Sequence, residues 1–205
     1  ISGLGNEEIT ANDSITVAQF NYLTANNDGV ITATISEGDV LTLGGITPLG
    51  NALSITVTAE VVLAAELNSL DSKTTIDLTV TSSTITGTAA DLIAAYTATG
   101  SINGLGNEAV TLSDTSIDAE VLITLDALTS GTIDASSITT LTGSDDDQAT
   151  ARASSGITGL PGSINSITLT DQTISASELL SLDAQYLGIV NASSVNTITG
   201  TASEI

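Results

Sequence analysis

The 205-residue chain contains no His, Cys, Met or Trp, only four aromatic side chains and only two basic ones. Without imidazole or thiol groups, the usual catalytic bases, thiol nucleophiles, zinc sites and disulfide frameworks are excluded. Lys73 and Arg152 oppose 24 acidic residues, so the formal net charge is −22. This charge excludes a basic surface for nucleic acid or anionic lipid. The composition therefore predicts a protein that is not an enzyme and has no nucleic-acid partner.

Long apolar runs are also missing, which argues against membrane insertion. The hydrophobic share of 41% is nevertheless large enough for a folded core, so disorder is not expected. No signal peptide is recognisable, and a primary translation product begins with Met. We therefore expect the chain to be a processed or excised segment of a longer parent protein.

Related phrases recur along the chain and predict one continuous repeat segment over residues 1–205. The first phrase has the form Ile-x-x-Leu-Gly-Asn, with a Pro variant in its last copy, and opens at residues 1, 46, 102 and 157. It divides the chain into repeats 1–45, 46–101, 102–156 and 157–205. A second phrase occupies 133–143 and 190–200. Because residues 201–205 match 88–92, the last repeat is truncated one turn into a helix, and we expect the parent chain to continue in both directions.

Each repeat carries signals for the start of a helix. Thr16 and Ser175 have Gln19 and Glu178 three positions later, which is capping-box spacing. Thr58 and Asp118 occupy the same position in the other two repeats. A second set of helix starts is predicted at Thr88, Ser144 and Thr201. Four glycines are predicted to end helices: Gly131, Gly188, Gly100 and Gly156. At Gly131 and Gly188 we expect the left-handed conformation.

Each half-repeat therefore reads as an apolar strand, a turn, a Thr-rich strand and a capped helix. The half-repeats alternate in length, with a short one from Ile133 to Ile157 and a longer one from Ile102 to Ile133. Such a short element can bury its apolar face only against its neighbours. The predicted fold class is α/β, a repeat solenoid of strand–strand–helix coils with parallel β ladders and double-coil repeats of about 55 residues. The predicted inward residues are Ile117, Leu122, Leu125, Ile138 and Leu141.

Three acidic motifs resemble calcium sites without completing one. Residues 3–9 and 104–110 partly fit a calcium nonapeptide, with Glu7 and Glu108 at the Asp position, but they do not occur in tandem as that site requires. We interpret them as tight turns with positive φ. Residues 26–29 resemble part of an EF-hand loop, but Ile35 stands where the essential Glu belongs, so a turn is favoured.

The acidic run 145–147 follows the predicted cap Ser144, so its charges fit the first turn of a helix. Paired carboxylates also serve glycoside hydrolysis, but no aromatic cleft accompanies them here. We therefore assign no catalytic, cofactor-binding or metal-binding residue. Ca²⁺ is the one cofactor that the acidic motifs leave open, and only as weakly supported.

Pairs of Thr separated by one apolar residue recur throughout the chain. On a strand such a pair projects two hydroxyl groups to one face and the middle residue to the other. Ice-binding solenoids use ladders of this kind, and Thr is also simply a common outward residue of β-strands. The pairs are 56/58, 84/86, 140/142, 168/170 and 197/199.

The phrases at 104–114 and 133–143 resemble the tandem repeats of very large surface or secreted proteins of marine cyanobacteria and similar bacteria. Some of those proteins are grouped with type I-secreted, calcium-associated adhesins. The resemblance implies an extracellular or cell-surface, adhesin-like structural role. We therefore expect a non-catalytic structural repeat segment of a long extracellular filament, adhesin stalk or surface layer. Its expected partners are further repeats of the same parent chain, with self-assembly into filaments or layers. A phage tail-fibre or virion appendage segment and an ice-binding Thr-ladder solenoid are the alternatives.

Overall fold

A computed structural model describes residues 5–47, 50–160, 164–186 and 188–203 of the chain. Within these ranges the protein is a mixed α/β structure with 16 strands and seven helices. The chain divides into two compact units, Ile1–Glu108 and Ala109–Ile205. Every strand pair in the described residues is parallel. No helix in these ranges is both long and apolar enough to cross a bilayer.

The first unit is built from short strands that alternate with helices. Its elements are β1 Ile9–Thr10, α1 Val17–Thr24, β2 Ile31–Thr34, α2 Val40–Leu43, β3 Ala52–Val57, β4 Val61–Leu63, α3 Ala64–Asp71, β5 Leu78–Val80, β6 Thr84–Gly87, α4 Ala89–Thr97 and β7 Ile102–Asn103. One sheet has the order β1-β2-β3-β5-β7. Strand β4 pairs with β6 in a second ladder.

The second unit has the same alternation. Its elements are β8 Ala109–Leu112, β9 Ser116–Asp118, α5 Ala119–Leu128, β10 Ile133–Asp134, β11 Thr140–Gly143, α6 Asp145–Ala153, β12 Ile157–Thr158, β13 Ser166–Leu169, β14 Thr173–Ser175, α7 Ala176–Gln185, β15 Ile189–Asn191 and β16 Thr197–Thr199. Its ladders run β8-β10-β12, β9-β11-β13-β15 and β14-β16.

Strand partners lie at a nearly constant sequence separation. Ile133 pairs with Val110 before it and with Ile157 after it, two steps of almost equal length along the chain. The predicted alternation of short and long half-repeats is wrong, because Ile133 pairs with Val110 on β8 and not with Ile102, which pairs with Leu78. The half-repeat that begins at Ile102 has three strands before its helix, β7, β8 and β9, where two were predicted. The interval between copies of the first phrase is therefore longer than the combined sequence separation of two consecutive strand pairs.

The predicted inward residues form the core. Leu122, Leu125, Ile138 and Leu141 have no exposed surface, and Ile117 is 6% exposed. Strand residues alternate between buried and exposed, as in β3, where Leu53, Ile55 and Val57 point inward. Helix α5 contributes residues one turn apart to the same interior. The sequence pattern therefore identified the buried face correctly.

Most predicted helix starts are confirmed. Thr16 and Ser175 form capping boxes, and the side chains of Thr88, Asp118 and Ser144 accept hydrogen bonds at the starts of α4, α5 and α6. The start predicted at Thr58 is wrong: a further strand, β4, follows β3, and α3 begins only at Ala64. The start predicted at Thr201 lies partly outside the described residues, because its partner position 204 is not among them.

The predicted helix ends are only partly right. Helices α5 and α7 end in extended residues, Thr129 with φ −133° and Tyr186 with φ −107°, and neither Gly131 nor Gly188 has positive φ. Gly188 is needed for another reason, since a Cβ there would collide with the Asn165 carbonyl group. Gly100, after α4, does adopt positive φ (+94°).

Candidate functional site

The first unit carries a face of exposed hydroxyl groups, which we call the hydroxyl face. It consists of outward-pointing side chains on β1, β2, β3 and β5: Thr10, Thr32, Thr34, Ser54, Thr56 and Thr79. The strand register sets them side by side, Thr34 beside Ser54 and Thr56 beside Thr79. Neighbours across strands are about 4.8 Å apart, and neighbours along one strand are about 6.6 Å apart. The face therefore consists of three side-by-side pairs of hydroxyl residues, Thr10 with Thr32, Thr34 with Ser54 and Thr56 with Thr79.

Several hydroxyl groups elsewhere in the chain bind the preceding strand or turn. Thr81 Oγ1 donates to the Val57 carbonyl oxygen at 3.0 Å in the first unit. Thr158 Oγ1 donates to the Ile133 carbonyl oxygen, also at 3.0 Å, in the second. Within the described residues no such bond is made by the six side chains of the hydroxyl face. The outward hydroxyl groups of the strands therefore either bind the preceding strand or face solvent.

The predicted Thr pairs point outward as expected. Their middle residues Val57, Ile85, Leu141 and Leu169 are buried. Ile198 is the exception, because it is 47% exposed on the last described strand. The pairs beside helices are only half-buried, whereas Thr56 is exposed. Solvent access to the hydroxyl groups therefore varies along the chain.

The glycine-rich phrase at 104–108 is a tight turn closed by its own carboxylate. Gly104 and Gly106 have φ of +93° and +130°, which confirms the predicted positive φ. The Glu108 carboxylate accepts hydrogen bonds from the N–H groups of Gly106 (2.8 Å) and Asn107 (3.2 Å) and from the Tyr96 hydroxyl group (3.3 Å). Glu108 is 5% exposed. Its acceptor capacity is therefore used by the turn.

The related phrase near the start of the chain forms the same two hydrogen bonds to its carboxylate. Glu7 accepts hydrogen bonds from the N–H groups of Gly5 (2.7 Å) and Asn6 (3.2 Å). The bond from Gly5 is the main cause that lowers the pKa of Glu7. Residues 3 and 4 of this motif lie outside the described residues. The shared motif in the sequence therefore marks a carboxylate that caps backbone N–H groups.

The loop 26–29 is a turn, as favoured from the sequence. Asn27 is buried, and its Nδ2 donates to the carbonyl oxygens of Glu7 (2.9 Å) and Gly29 (3.3 Å). A Cβ on Gly29 would collide with the Glu7 carbonyl group. In the part of the chain that the structure describes, no three acidic side chains converge as metal ligands would.

The acidic run 145–147 lies in the first turn of α6, as predicted. The backbone N–H group of Asp147 is capped there, since it donates a hydrogen bond to Ser144 Oγ at 3.1 Å. The pKa of Asp145, by contrast, is raised by burial and then by the negative charges of Asp171, Asp146 and Glu178. Its N–H group donates to the Asp171 carboxylate at 2.9 Å. This crowding of acids depends on the fold, and the sequence does not show that Asp171 takes part.

Gln148, a fully buried polar residue, was missed by sequence reasoning. Its Nε2 donates to the carbonyl oxygens of Gly143 (3.0 Å) and Thr168 (3.3 Å) and so joins α6 to two strands. The only sequence signal is its position one turn after the cap Ser144. Nothing in its surroundings distinguishes it from an exposed helix residue until the strands are paired.

Both basic residues have structural roles. Lys73 Nζ donates to the Ile46 carbonyl oxygen at 2.9 Å. The Arg152 guanidinium group lies 4.8 Å from the centre of the Tyr186 ring, a cation–π contact, and burial lowers the pKa of Arg152. Neither cation forms an ion pair with a carboxylate in the described ranges.

Serine–aspartate contacts join consecutive helical segments in both units. Ser101 Oγ donates to the Asp71 carboxylate at 3.0 Å in the first unit. Ser154 Oγ donates to the Asp126 carboxylate at 2.7 Å in the second. In each case the serine follows the second helix of a pair and the aspartate belongs to the first. The polar groups of both units thus hold neighbouring segments together.

The chain has no match among known protein families, curated proteins or solved structures.

Proposed function

We propose that the chain is a non-catalytic structural segment, a repeat solenoid whose coils add length to an extracellular filament, adhesin stalk or surface layer. The observation that carries this proposal is the parallel register. In each unit a strand pairs with a later strand at a similar step along the chain. The shortest step joins Thr32 to Ala52, and the longest joins Thr140 to Ser166. One such step corresponds to one coil, which we take to consist of two strands and a helix and to be the repeating unit of the fold.

Core completion between neighbours supports the proposal. Leu141 pairs with Ile117 on one side and Ile167 on the other, and all three are buried. A single coil of about 24 residues is too small to enclose these side chains alone. Adding a coil therefore extends the ladder and leaves the interior unchanged, which is the property that a stalk or filament needs.

The polar groups also fit a structural role. The carboxylates described above act at helix starts, in turns and in contacts between helices. The net charge of −22 keeps a long repetitive protein soluble and discourages unspecific association of strand edges. This surface suits a protein exposed to the salt of an external medium, where charge repulsion is screened.

Coil insertion tests the proposal. Residues 133–156 form one coil, which ends just before Ile157, the register partner of Ile133. In the test, four extra copies of this coil are inserted into the second unit. Each inserted coil adds about 4.8 Å along the ladder, so small-angle scattering should show the longest dimension growing by about 19 Å at unchanged cross-section. The control inserts the same residues in scrambled order. Growth in all directions, or unfolding of the ordered insertion, would contradict the proposal.

Ice binding is a second candidate, favoured by the hydroxyl face. Its Thr34 and Thr56 side chains are exposed, unlike the hydroxyl groups that bind carbonyl oxygens. A regular array of methyl and hydroxyl groups fits an ordered water lattice. The test is thermal hysteresis of the chain and of Thr34→Lys, with Thr139→Lys as a control outside the face. Absence of hysteresis in the unchanged protein dismisses this candidate.

A further inference from the structure

The turn at 26–29 holds a buried acceptor atom without a donor. Asn27 is only 7% exposed, and its Oδ1 is a buried oxygen that has no hydrogen-bond partner in the described residues. Its Nδ2, by contrast, donates to the carbonyl oxygens of Glu7 at 2.9 Å and Gly29 at 3.3 Å. A buried acceptor of this kind is costly unless a bound molecule or ion satisfies it.

The orientation of this side-chain amide is fixed by its surroundings. If the Asn27 amide were turned over, Oδ1 would face the carbonyl oxygens of Glu7 and Gly29, and acceptors would oppose one another. The oxygen is therefore the atom left over. Its missing partner is either a hydrogen-bond donor or a cation, because an amide oxygen can only accept a hydrogen bond or bind positive charge.

A polar cavity of about 160 Å³ lies beside this turn. Asn27 and Asp28 line it, together with Thr24 at the end of α1 and Asn51 just before β3. Asn51 Oδ1 accepts the Ile31 N–H group at 2.8 Å and so joins β2 to the cavity wall. Among the described residues of the lining, the exposed Asp28 is the only acid, and none is basic. The lining therefore offers oxygen atoms and one negative charge.

We propose that this cavity is a cation site that binds one Ca²⁺ ion through Asn27 Oδ1 and the Asp28 carboxylate. Ca²⁺ accepts amide and carboxylate oxygens in irregular geometry and completes its shell with water, whereas Mg²⁺ requires a nearly ideal octahedron. A single carboxylate gives a weak site, with a dissociation constant on the order of 10⁻⁴–10⁻³ M. The net charge of −22 raises the local concentration of cations. The site goes beyond the proposed structural function and does not rest on it.

Titration with CaCl₂, followed by NMR of the ¹⁵N-labelled chain, tests the proposal. Constant high ionic strength screens the unspecific attraction of cations. The side-chain amide signals of Asn27 and the backbone amide signals of residues 28–31 should then shift and saturate with one dissociation constant. MnCl₂, added as a paramagnetic probe, should broaden these signals first. CaCl₂ should restore them at a far lower concentration than MgCl₂.

Two variants of equal charge separate this site from the general attraction of cations. Asp28→Ala removes the one charge of the lining and should weaken Ca²⁺ binding about tenfold or more. Asp13→Ala removes the same charge after β1, whereas the cavity lies before β2. Because these strands are parallel, the two positions lie at opposite strand ends, and Asp13→Ala should change the affinity less than about twofold. Both side chains are exposed, so folding should survive, which circular dichroism checks.

A cavity that holds only water gives different results. The Asn27 side-chain signals would then show no saturable shift, and MnCl₂ would broaden signals near all exposed acidic residues alike. Either result overturns the inference, as do equal affinities of the two variants or equal restoration by CaCl₂ and MgCl₂. Such a failure leaves the proposed function standing, since the insertion of coils into the second unit tests that function separately.

Discussion

The two units share one pairing scheme, but strand β3 of the first and strand β11 of the second expose their hydroxyl groups differently. In the first, the outward residues of β3, Ser54 and Thr56, are exposed. In the second, Thr140 and Thr142 of β11 are half-buried, and Thr142 Oγ1 donates to the Asp118 carboxylate at 3.2 Å. The cause lies in the element that follows. Strand β11 is followed almost at once by α6, whereas β3 is followed by another strand.

Charge does not explain this difference. Each unit contains 12 acidic residues and one basic residue, so their overall repulsion is the same. What differs is where the acids lie, since only α6 has three of them in its first turn. The comparison shows that the hydroxyl groups of a Thr-rich strand either face solvent or form internal hydrogen bonds, depending on which element follows the strand.

The largest expected effect comes from a charge in the core of the second unit. Ile138→Asp places a carboxylate at a position with no exposed surface, and we expect a loss of several kcal/mol in the free energy of unfolding. Hydrogen exchange followed by mass spectrometry shows whether the first unit keeps its protection. Thr139→Asp, one position along and exposed, loses only the hydrogen bond from its hydroxyl group to the Thr115 carbonyl oxygen, so it should cost about 1 kcal/mol. Equal melting of Ile138→Asp and the unchanged protein would mean that Ile138 does not belong to the core.

A pair of glycines in the first unit separates backbone strain from lack of space. Gly100 and Gly104 have nearly equal φ, +94° and +93°, but only at Gly104 would a Cβ collide with the Val80 carbonyl group. Gly100→Ala should cost about 1–2 kcal/mol, and Gly104→Ala about 3 kcal/mol or more, because overpacking is added. Urea unfolding measures both. Equal costs would show that the two strands near Gly104 move apart freely.

Two carboxylates in equivalent turns test how much burial contributes. Glu108→Ala removes three hydrogen bonds to a buried carboxylate, from two backbone N–H groups and from the Tyr96 hydroxyl group, and we expect a loss of about 2–3 kcal/mol. Glu7→Ala should cost much less, since water replaces the carboxylate at that exposed turn. Thermal melts of both variants make the comparison. A larger loss for Glu7→Ala would contradict the role assigned to burial.

The smallest effect concerns the acid crowding that only the second unit has. The pKa of Asp145 is raised, so its ionised form is less favourable in the folded chain, and stability is lost as the pH rises through this pKa. Asp145→Asn should therefore raise Tm at neutral pH by about 1–2 °C, reduced by solvent screening. The gain should vanish at acidic pH, where the carboxyl group of the unchanged protein is protonated in both states.

Asp134 is the matched control for the sign of this effect. Hydrogen bonds from the Ser136 side chain and N–H group lower the pKa of Asp134. Its contribution to stability is therefore present above its usual pKa and is lost as the pH falls. Asp134→Asn should lower Tm slightly at neutral pH and have no effect in acid. If both variants shift Tm in the same direction, the assigned electrostatic causes are wrong.

Local signals predicted much of the structure. Caps such as Ser144 and Asp118 were recognisable because they act on N–H groups only two or three residues away. The inward residues of the strands were recognisable because the side-chain alternation repeats every two residues. The turn at 104–108 was recognisable because only glycine adopts its backbone angles readily. These features depend on a few neighbouring residues and are therefore visible in the sequence.

Features that depend on distant partners were missed. Thr58 has the same local pattern as Thr16, yet β4 intervenes before the helix, because Val62 finds a partner in Ile85 on β6. Gln148 is buried only because two strands bring their carbonyl oxygens to it. The candidate hydroxyl face was foreseen as a type of surface, but not its position in the first unit.

The amino-acid sequence by itself determined where most of the predicted helices begin, which of the predicted residues point inward and where several turns lie, since each of these features depends on a few neighbouring residues. The tertiary structure alone decided that Ile133 pairs with Val110 and not in phase with Ile102, and which hydroxyl groups face solvent. Pairing is decided by the sum of backbone hydrogen bonds and buried apolar surface over several stacked strands. That sum belongs to no single segment of the chain.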